Sequence, residues 1–235
     1  GLALSGKSLS EAFTRARDCD PLSAFGGVIG LNRSVDAATA EVIAKDFYEG
    51  VVAPDYSPEA LEILQKKKNI RLLKAAYDYK PEPQSYDLKK VSGGFLVQTL
   101  DEATIKVRDC KVATERAPTE EEWKALEFGW KVVKHVKSNT IVFVKGTETI
   151  GVGAGQMSRI DSTKIAISKA RTDLKGSVMI SDAFFPFDDN VRKAHEVGCT
   201  AIIQPGGSIR DEDSIKAANE LNIAMVFTGM RHFRH

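Results

Sequence analysis

The chain has 235 residues, compatible with one large domain or one and a half smaller ones at roughly 150 residues per domain. Hydrophobic residues make up 43% and charged residues 28%, which is the composition of an ordinary folded protein and excludes a disordered or fibrous one. Lys plus Arg (33) nearly balances Asp plus Glu (32). That balance excludes a general positive field for nucleic acid or an anionic membrane, so any anionic ligand must be held locally.

The first eight residues, Gly1-Leu2-Ala3-Leu4-Ser5-Gly6-Lys7-Ser8, match the phosphate-binding P-loop letter for letter. A P-loop needs a strand that delivers exposed backbone N–H groups to a helix start. No such strand is found before Gly1, and Leu2-Ala3-Leu4 is apolar where the cradle is usually small or polar, so nucleotide triphosphate binding is not expected. Ser8-Leu9-Ser10-Glu11 and Thr119-Glu120-Glu121-Glu122 place a hydroxyl three residues before Glu, as in a capping box, and predict helices over 9–18 and 120–136. Ser57-Pro58 opens another helix with Pro at its first position, running to Lys66-Lys67-Lys68.

Between the helices, short apolar or β-branched runs predict buried strands at 27–31, 51–53, 70–73, 95–100, 141–144, 149–152, 178–181, 201–204 and 224–227. From residue 140 the order is a hairpin turning at Lys145-Gly146-Thr147-Glu148, then helix and strand in alternation. This implies an α/β sandwich with a mostly parallel sheet. The segment 76–87, with Pro81 and Pro83, is the candidate linker. Cys19, Cys110 and Cys199 lack the paired spacing of a disulfide framework or zinc site, and no apolar run approaches the roughly 20 residues of a membrane span. The start of the chain has no signal-peptide pattern. A reducing, cytoplasmic setting is expected.

Ligands of open α/β sheets collect at the carboxyl ends of strands. Gly151-Val152-Gly153-Ala154-Gly155 is read either as close backbone packing or, continued by Gln156-Met157-Ser158-Arg159, as an anion site before a helix. The connection 181–190 holds three Phe and a Pro, Ser181-Asp182-Ala183-Phe184-Phe185-Pro186-Phe187-Asp188-Asp189-Asn190. It either folds onto the core or forms an aromatic wall for a flat heterocycle. Pro205-Gly206-Gly207-Ser208 is a turn or a close approach to ligand. The ending Thr228-Gly229-Met230-Arg231-His232-Phe233-Arg234-His235 frays or docks on the site. Asn139 caps a turn or presents its amide to a ligand, while His135 and His195 are read as surface or packing residues within helices.

Taken together, segments 181–190, 151–159, Gln204-Pro205-Gly206-Gly207-Ser208-Ile209-Arg210 and Met230-Arg231-His232-Phe233 closely resemble a family of bifunctional purine enzymes. The family joins aminoimidazole carboxamide ribonucleotide formyltransferase to inosinate cyclohydrolase. The similarity extends through Asp20-Pro21-Leu22-Ser23-Ala24-Phe25-Gly26-Gly27, Val52-Ala53-Pro54, Gly93-Gly94, Trp130-Lys131 and Val136-Lys137-Ser138-Asn139. It implies a cytidine-deaminase-like three-layer sandwich in two units, a truncated first over 1–80 and a complete second over 85–235 from the C-terminal part of the formyltransferase region.

The resemblance further implies formyl transfer from 10-formyltetrahydrofolate to the exocyclic amine of the nucleotide, without a catalytic metal, in a homodimer with sites between subunits. The zinc chemistry of the deaminases does not follow, because no H-x-E or Pro-Cys-x-x-Cys occurs. By position, Phe25, Gly26, Glu49, Asn139, Arg159, Phe184 and Arg231 match nucleotide contacts, with Asn139 also supporting proton transfer and Arg231 holding the phosphate. Ile160, Asp189, Ser208 and Ile209 match folate contacts. The family's catalytic Lys-His pair precedes a Pro-Cys-Gly sequence whose glycine corresponds to Gly1, so both residues are expected upstream.

Overall fold

In the computed structural model, which describes residues 1–76 and 85–234, chain order is largely that of the expected elements. Helix α1 (Leu9–Asp18) is capped by Ser8, whose hydroxyl accepts from the Glu11 amide, and α2 (Pro21–Ala24) by Asp20. Strands β1 (Val28–Gly30), β2 (Gly50–Ala53) and β3 (Arg71–Lys74) pair in parallel in that order. Between them run α3 (Ala37–Ile43) and α4 (Pro58–Leu64). The sequence reading missed α3, although Asp36 before an Ala-rich run is its cap, accepting from the Thr39 amide at 2.8 Å. Helix α4 stops at Leu64, before the three lysines.

Residues 77–84, which hold most of the expected linker, and His235 lie outside the described residues. Next comes an antiparallel ribbon of β4 (Tyr86–Val91) and β5 (Gly94–Thr99). Here the expectation of a buried strand at 95–100 is corrected: every residue of β4 and β5 is exposed. An apolar run alone cannot distinguish a strand between covered faces from one in a two-stranded ribbon.

The large sheet has strand order β6 (Lys111–Val112), β11 (Ala224–Phe227), β10 (Ala201–Gln204), β9 (Val178–Ser181), β7 (Ile141–Lys145), β8 (Glu148–Gly153). Strands β9, β10 and β11 run parallel; β6, β7 and β8 add antiparallel pairings. Alternate residues face opposite sides. Ile141, Phe143, Met179, Ile202 and Met225 pack in the cluster with α6 (Arg159–Lys169), α7 (Asp189–Glu196) and α8 (Asp211–Glu220). Val142, Val144, Val178, Ile180, Ile203 and Val226 pack with α5 (Glu120–Val133). Burial on both faces makes the strands near-continuous apolar runs, and the result is a three-layer α/β sandwich. Helix α5 ends at Val133 rather than 136, which leaves His135 in the turn that follows. Among the described residues, no helix is long and apolar enough to cross a membrane.

Arg116 ties the layers together. Its guanidinium donates to both oxygens of Glu122 in α5 (2.9 and 3.0 Å), to the Asn222 carbonyl (3.1 Å) and to the Thr200 carbonyl. Burial raises the Glu122 pKa, but the bonds from Arg116 and the Thr119 amide outweigh it and hold the carboxyl below its usual 4.5. A carboxylate depressed in the folded state stabilises fully above its unfolded pKa and loses that contribution as pH falls through the folded one. Glu122→Gln should therefore lower stability at pH 7 by about 2–3 kcal/mol. Urea titrations should show the deficit shrinking below pH 4.5.

Two glycines of β8 fix the neighbouring helix. A methyl at Gly153 would lie 1.9 Å from the Ser162 carbonyl oxygen, and one at Gly151 2.6 Å from that of Ala166. We expect Gly153→Ala to cost about 3 kcal/mol by overpacking. Gly30→Ala, where nothing lies within 4 Å, should change stability by less than about 1 kcal/mol in the same denaturation experiment.

Candidate functional site

The amino-terminal octet forms no phosphate cradle. Leu2 N–H donates to Thr149 Oγ1 (2.8 Å) and Leu4 N–H to the Thr147 carbonyl (2.9 Å), while Ala3 bridges to Glu148. These amides extend the edge of β8 instead of converging on an anion. Lys7 pairs with Glu11 at 3.8 Å on the exposed helix face.

At the other end of β8 the glycine run resolves in favour of close packing, and that packing orders the turn at Asn139. With α6 seated on β8, the Ser162 hydroxyl reaches the Asn139 carbonyl (2.8 Å). The Asn139 side-chain NH2 donates to the carbonyls of Gln156 (3.0 Å) and Met157 (3.1 Å). The turn reading of Asn139 is thus met: its NH2 group closes the turn, and the residue is half-buried.

Arg159 opens α6, with the Ser158 hydroxyl capping the helix. Its side chain is 13% exposed and lies 3.4 Å from Asp182, which is fully buried after β9. Arg159 Nε and Asp182 Oδ2 are buried with no hydrogen-bond partner. Burial lowers the Arg159 pKa, and Asp182 pulls it back up. The three Phe of the 181–190 connection separate: Phe185 is core, Phe184 half-buried, and Phe187 half-exposed beneath Arg210 at 5.0 Å. Core folding is met at Phe185, while Phe187 lies at the surface.

The tail is docked through residue 234. His232 is 1% exposed, its Nδ1 donates to Asp101 Oδ2 (2.6 Å), and its ring lies 5.0 Å from that of Trp130 in α5. The His232 amide donates to the Asp182 carbonyl (3.1 Å), and Arg234 exchanges bonds with Ser138 at 2.9 and 3.0 Å. Arg231 is left exposed, with its guanidinium 5.5 Å from the Phe233 ring.

These bonds link the main chain at Ser138 and Asn139, the start of α6 at Arg159, Asp182 and the tail at His232 and Arg234. Phe184 follows two residues after Asp182, and Arg231 precedes His232. Half-buried Ile160 follows Arg159, and Asp189 opens α7 and accepts from the Asn190 amide (2.8 Å). Half-buried Ser208 and exposed Ile209 stand in the turn before α8, where Gly207 N–H donates to Asp211 (2.6 Å). Gly206 has φ +70, and a side chain there would strike the Phe227 ring at 2.7 Å.

Phe25, Gly26 and Glu49 lie elsewhere. Phe25 is 67% exposed against Phe47, Gly26 donates to the Phe47 carbonyl (2.9 Å), and Glu49 pairs with Arg71. The adjoining α2 meets the far end of α6, where Lys169 binds Asp20 (2.6 Å) and Ser23 (2.9 Å). At 1.5 Å per residue, the 11 residues of α6 separate that end from Arg159 by about 15 Å. A cavity of about 1100 Å³ lies between α2, α5, β8 and α6. Its wall includes Leu2, Phe128, Val152 and Gln156, but not Arg159, Phe184 or Arg231. Among the described residues, no three His, Cys, Asp or Glu side chains gather as a metal site.

The residues missed by sequence reasoning are Asp182, His232 and Asp101 as a connected set. Asp182 directly after an apolar strand was the available signal; Asp101 had none, because its partner is 131 residues away. Asp101→Asn or His232→Ala should release the tail. Hydrogen exchange at the amides of His232 and Arg234 should then quicken by roughly tenfold or more, with the amides of β9 and β10 unaffected.

The pattern of the AICARFT/IMPCHase bienzyme family matches residues 1–169. The bifunctional purine biosynthesis protein PurH of Anaeromyxobacter dehalogenans (strain 2CP-C) is 52% identical over 239 residues, covering 98% of this chain and 45% of the relative. PurH of Bacillus anthracis (strain A0248) is 54% identical over 230 residues with the same coverages. The chain thus spans about 45% of the length of these relatives. Among solved structures, dCMP deaminase of the cyanophage S-TIM5 with dCMP and dUMP aligns at 14% identity and TM-score 0.29, over 37% of this chain and 77% of its own.

Proposed function

Because the chain belongs to the AICARFT/IMPCHase bienzyme family, we propose that it is the nucleotide- and folate-binding part of a formyltransferase of purine biosynthesis. The formyl group of 10-formyltetrahydrofolate passes to the exocyclic amine of aminoimidazole carboxamide ribonucleotide as its bond to folate N10 breaks, N10 takes up a proton and tetrahydrofolate leaves. The observation that carries the reading is the set of bonds that links Asn139, Arg159, Asp182 and the tail segment holding Arg231 at the carboxyl end of the parallel strands.

The chemistry fits those side chains. The amine's lone pair delocalises toward the carboxamide, so the amine attacks the formyl carbon only as its proton is withdrawn. Asn139, oriented by its bonds to the Gln156 and Met157 carbonyls, offers its oxygen to the carboxamide N–H. That contact holds the ring in position and opposes the delocalisation. Phe184 supplies an apolar surface for the heterocycle, while Arg231 and Arg159 supply charge for the phosphate. Ile160, Asp189, Ser208 and Ile209 line the approach for the folate. The withdrawing base and the oxyanion donor are assigned to the family's Lys-His pair.

The remaining assignments are part of the same proposal. Residues 1–80 and 85–235 form two cytidine-deaminase-like units. Phe25, Gly26 and Glu49 complete the nucleotide site of a partner subunit, so the protein works as a homodimer in the cytoplasm, without a catalytic metal. Their distance from Arg159 within one chain supports this arrangement.

Calorimetry with the aminoimidazole nucleotide and a folate formyl-transfer assay test the reading. Nucleotide binding is expected from this chain. Turnover by it would place the base within residues 1–235, and absence of binding would reject the proposal. Arg231→Ala should weaken the nucleotide by about 2 kcal/mol through loss of a charge-assisted contact, and an unaltered affinity would remove Arg231 from the site.

A further inference from the structure

Asp182 sits immediately after β9 with no exposed surface. A carboxylate so buried ordinarily collects several donors, because an under-bonded charge away from water is costly. Here Oδ1 has one long contact, 3.4 Å to Arg159 Nη2, and Oδ2 has none. On the other side of the pair, Arg159 Nε is buried without an acceptor. The two groups stop short of the two-bond fork that guanidinium and carboxylate usually form. The main-chain carbonyl of the same residue accepts from the His232 amide at 3.1 Å. Asp182 therefore touches both the arginine that opens α6 and the tail segment that presents Arg231.

We propose that Asp182 is a positioning residue, its carboxylate aiming Arg159 and its carbonyl fixing the tail, so that Arg159 and Arg231 address one phosphate monoester from two sides. The inference rests on the reading above, in which those two guanidiniums hold the phosphorylated nucleotide. Electrostatics and geometry make opposite predictions for its removal. A carboxylate beside Arg159 weakens the local attraction for an anion, so if its role were charge balance alone, neutralising it would tighten phosphate binding. If its role is geometry, neutralising it weakens phosphate binding even though the site becomes more positive. A planar fork released from its hydrogen bond loses alignment with the phosphate oxygens.

The test is calorimetry of Asp182→Asn with three probes: aminoimidazole carboxamide ribonucleotide, the nucleoside lacking its phosphate, and ribose 5-phosphate. We expect both phosphate-bearing probes to bind roughly tenfold more weakly, with the nucleoside unchanged. Tighter or unchanged phosphate binding overturns the proposal, and so does an equal loss for the nucleoside, which would mark a merely structural role. Arg159→Lys keeps the charge but removes the fork, and supplies the same test should Asp182→Asn not fold. It should lose phosphate affinity similarly, and unchanged affinity would again overturn the proposal. The two readings fail separately. If the unaltered protein binds ribose 5-phosphate but not the aminoimidazole nucleotide, the substrate assignment falls while the positioning role is still measured. If it binds neither phosphate-bearing probe, both fall.

Discussion

The seating of α6 on β8 is the constraint from which the rest of the carboxyl edge follows. Gly151 and Gly153 carry no side chain because the Ala166 and Ser162 carbonyls occupy the space a Cβ would need. This approach lets Ser162 reach the Asn139 carbonyl and sets the first residue of α6, Arg159, beside the end of β9. A glycine pattern that invites comparison with phosphate loops thus acts one step removed. It positions a helix, and the helix positions the charged group.

Two arginine–carboxylate pairs beside the large sheet, Arg116–Glu122 and Arg159–Asp182, differ in their bonding. Arg116 and Glu122 are joined by two short bonds, with further Arg116 bonds to main-chain carbonyls near β10 and β11. Such a fully bonded network fastens layers together and leaves nothing over for a ligand. Arg159 and Asp182 are more buried and less satisfied, and they stand at the carboxyl ends of parallel strands, where ligands gather. In the proposed site a ligand would complete this bonding, whereas a fastening left incomplete would be costly.

The first sheet and the tail show how long-range contacts assemble these parts. Arg15 pairs with Glu148 at 2.5 Å and Lys169 with Asp20 at 2.6 Å, so α1 and α2 meet the large sheet along β8 and the far end of α6. The tail returns to Ser138, Asp182 and Asp101, bringing residues from across the chain onto one edge. Phe25, Gly26 and Glu49 lie by α2 and the first sheet, whose contact with α6 is at Lys169, the end remote from Arg159.

The amino-acid sequence by itself determined the elements whose signals are local. The caps at Ser8, Ser57 and Thr119, the Lys145-Gly146 turn and the doubly covered strands from 141 onward all appear where hydroxyls, glycines and apolar runs place them. The family was likewise legible, through motifs whose order matches it. Tertiary structure alone decided which apolar runs are covered: the run at 95–100 has the composition of a core strand but lies in an exposed ribbon. It alone separated Phe185 in the core from Phe187 at the surface, and paired Asp182 with Arg159 and His232 with Asp101. Caps and turns depend on neighbours within about four residues along the chain. Burial and ion pairing depend on what the fold brings from far away, which no local pattern records.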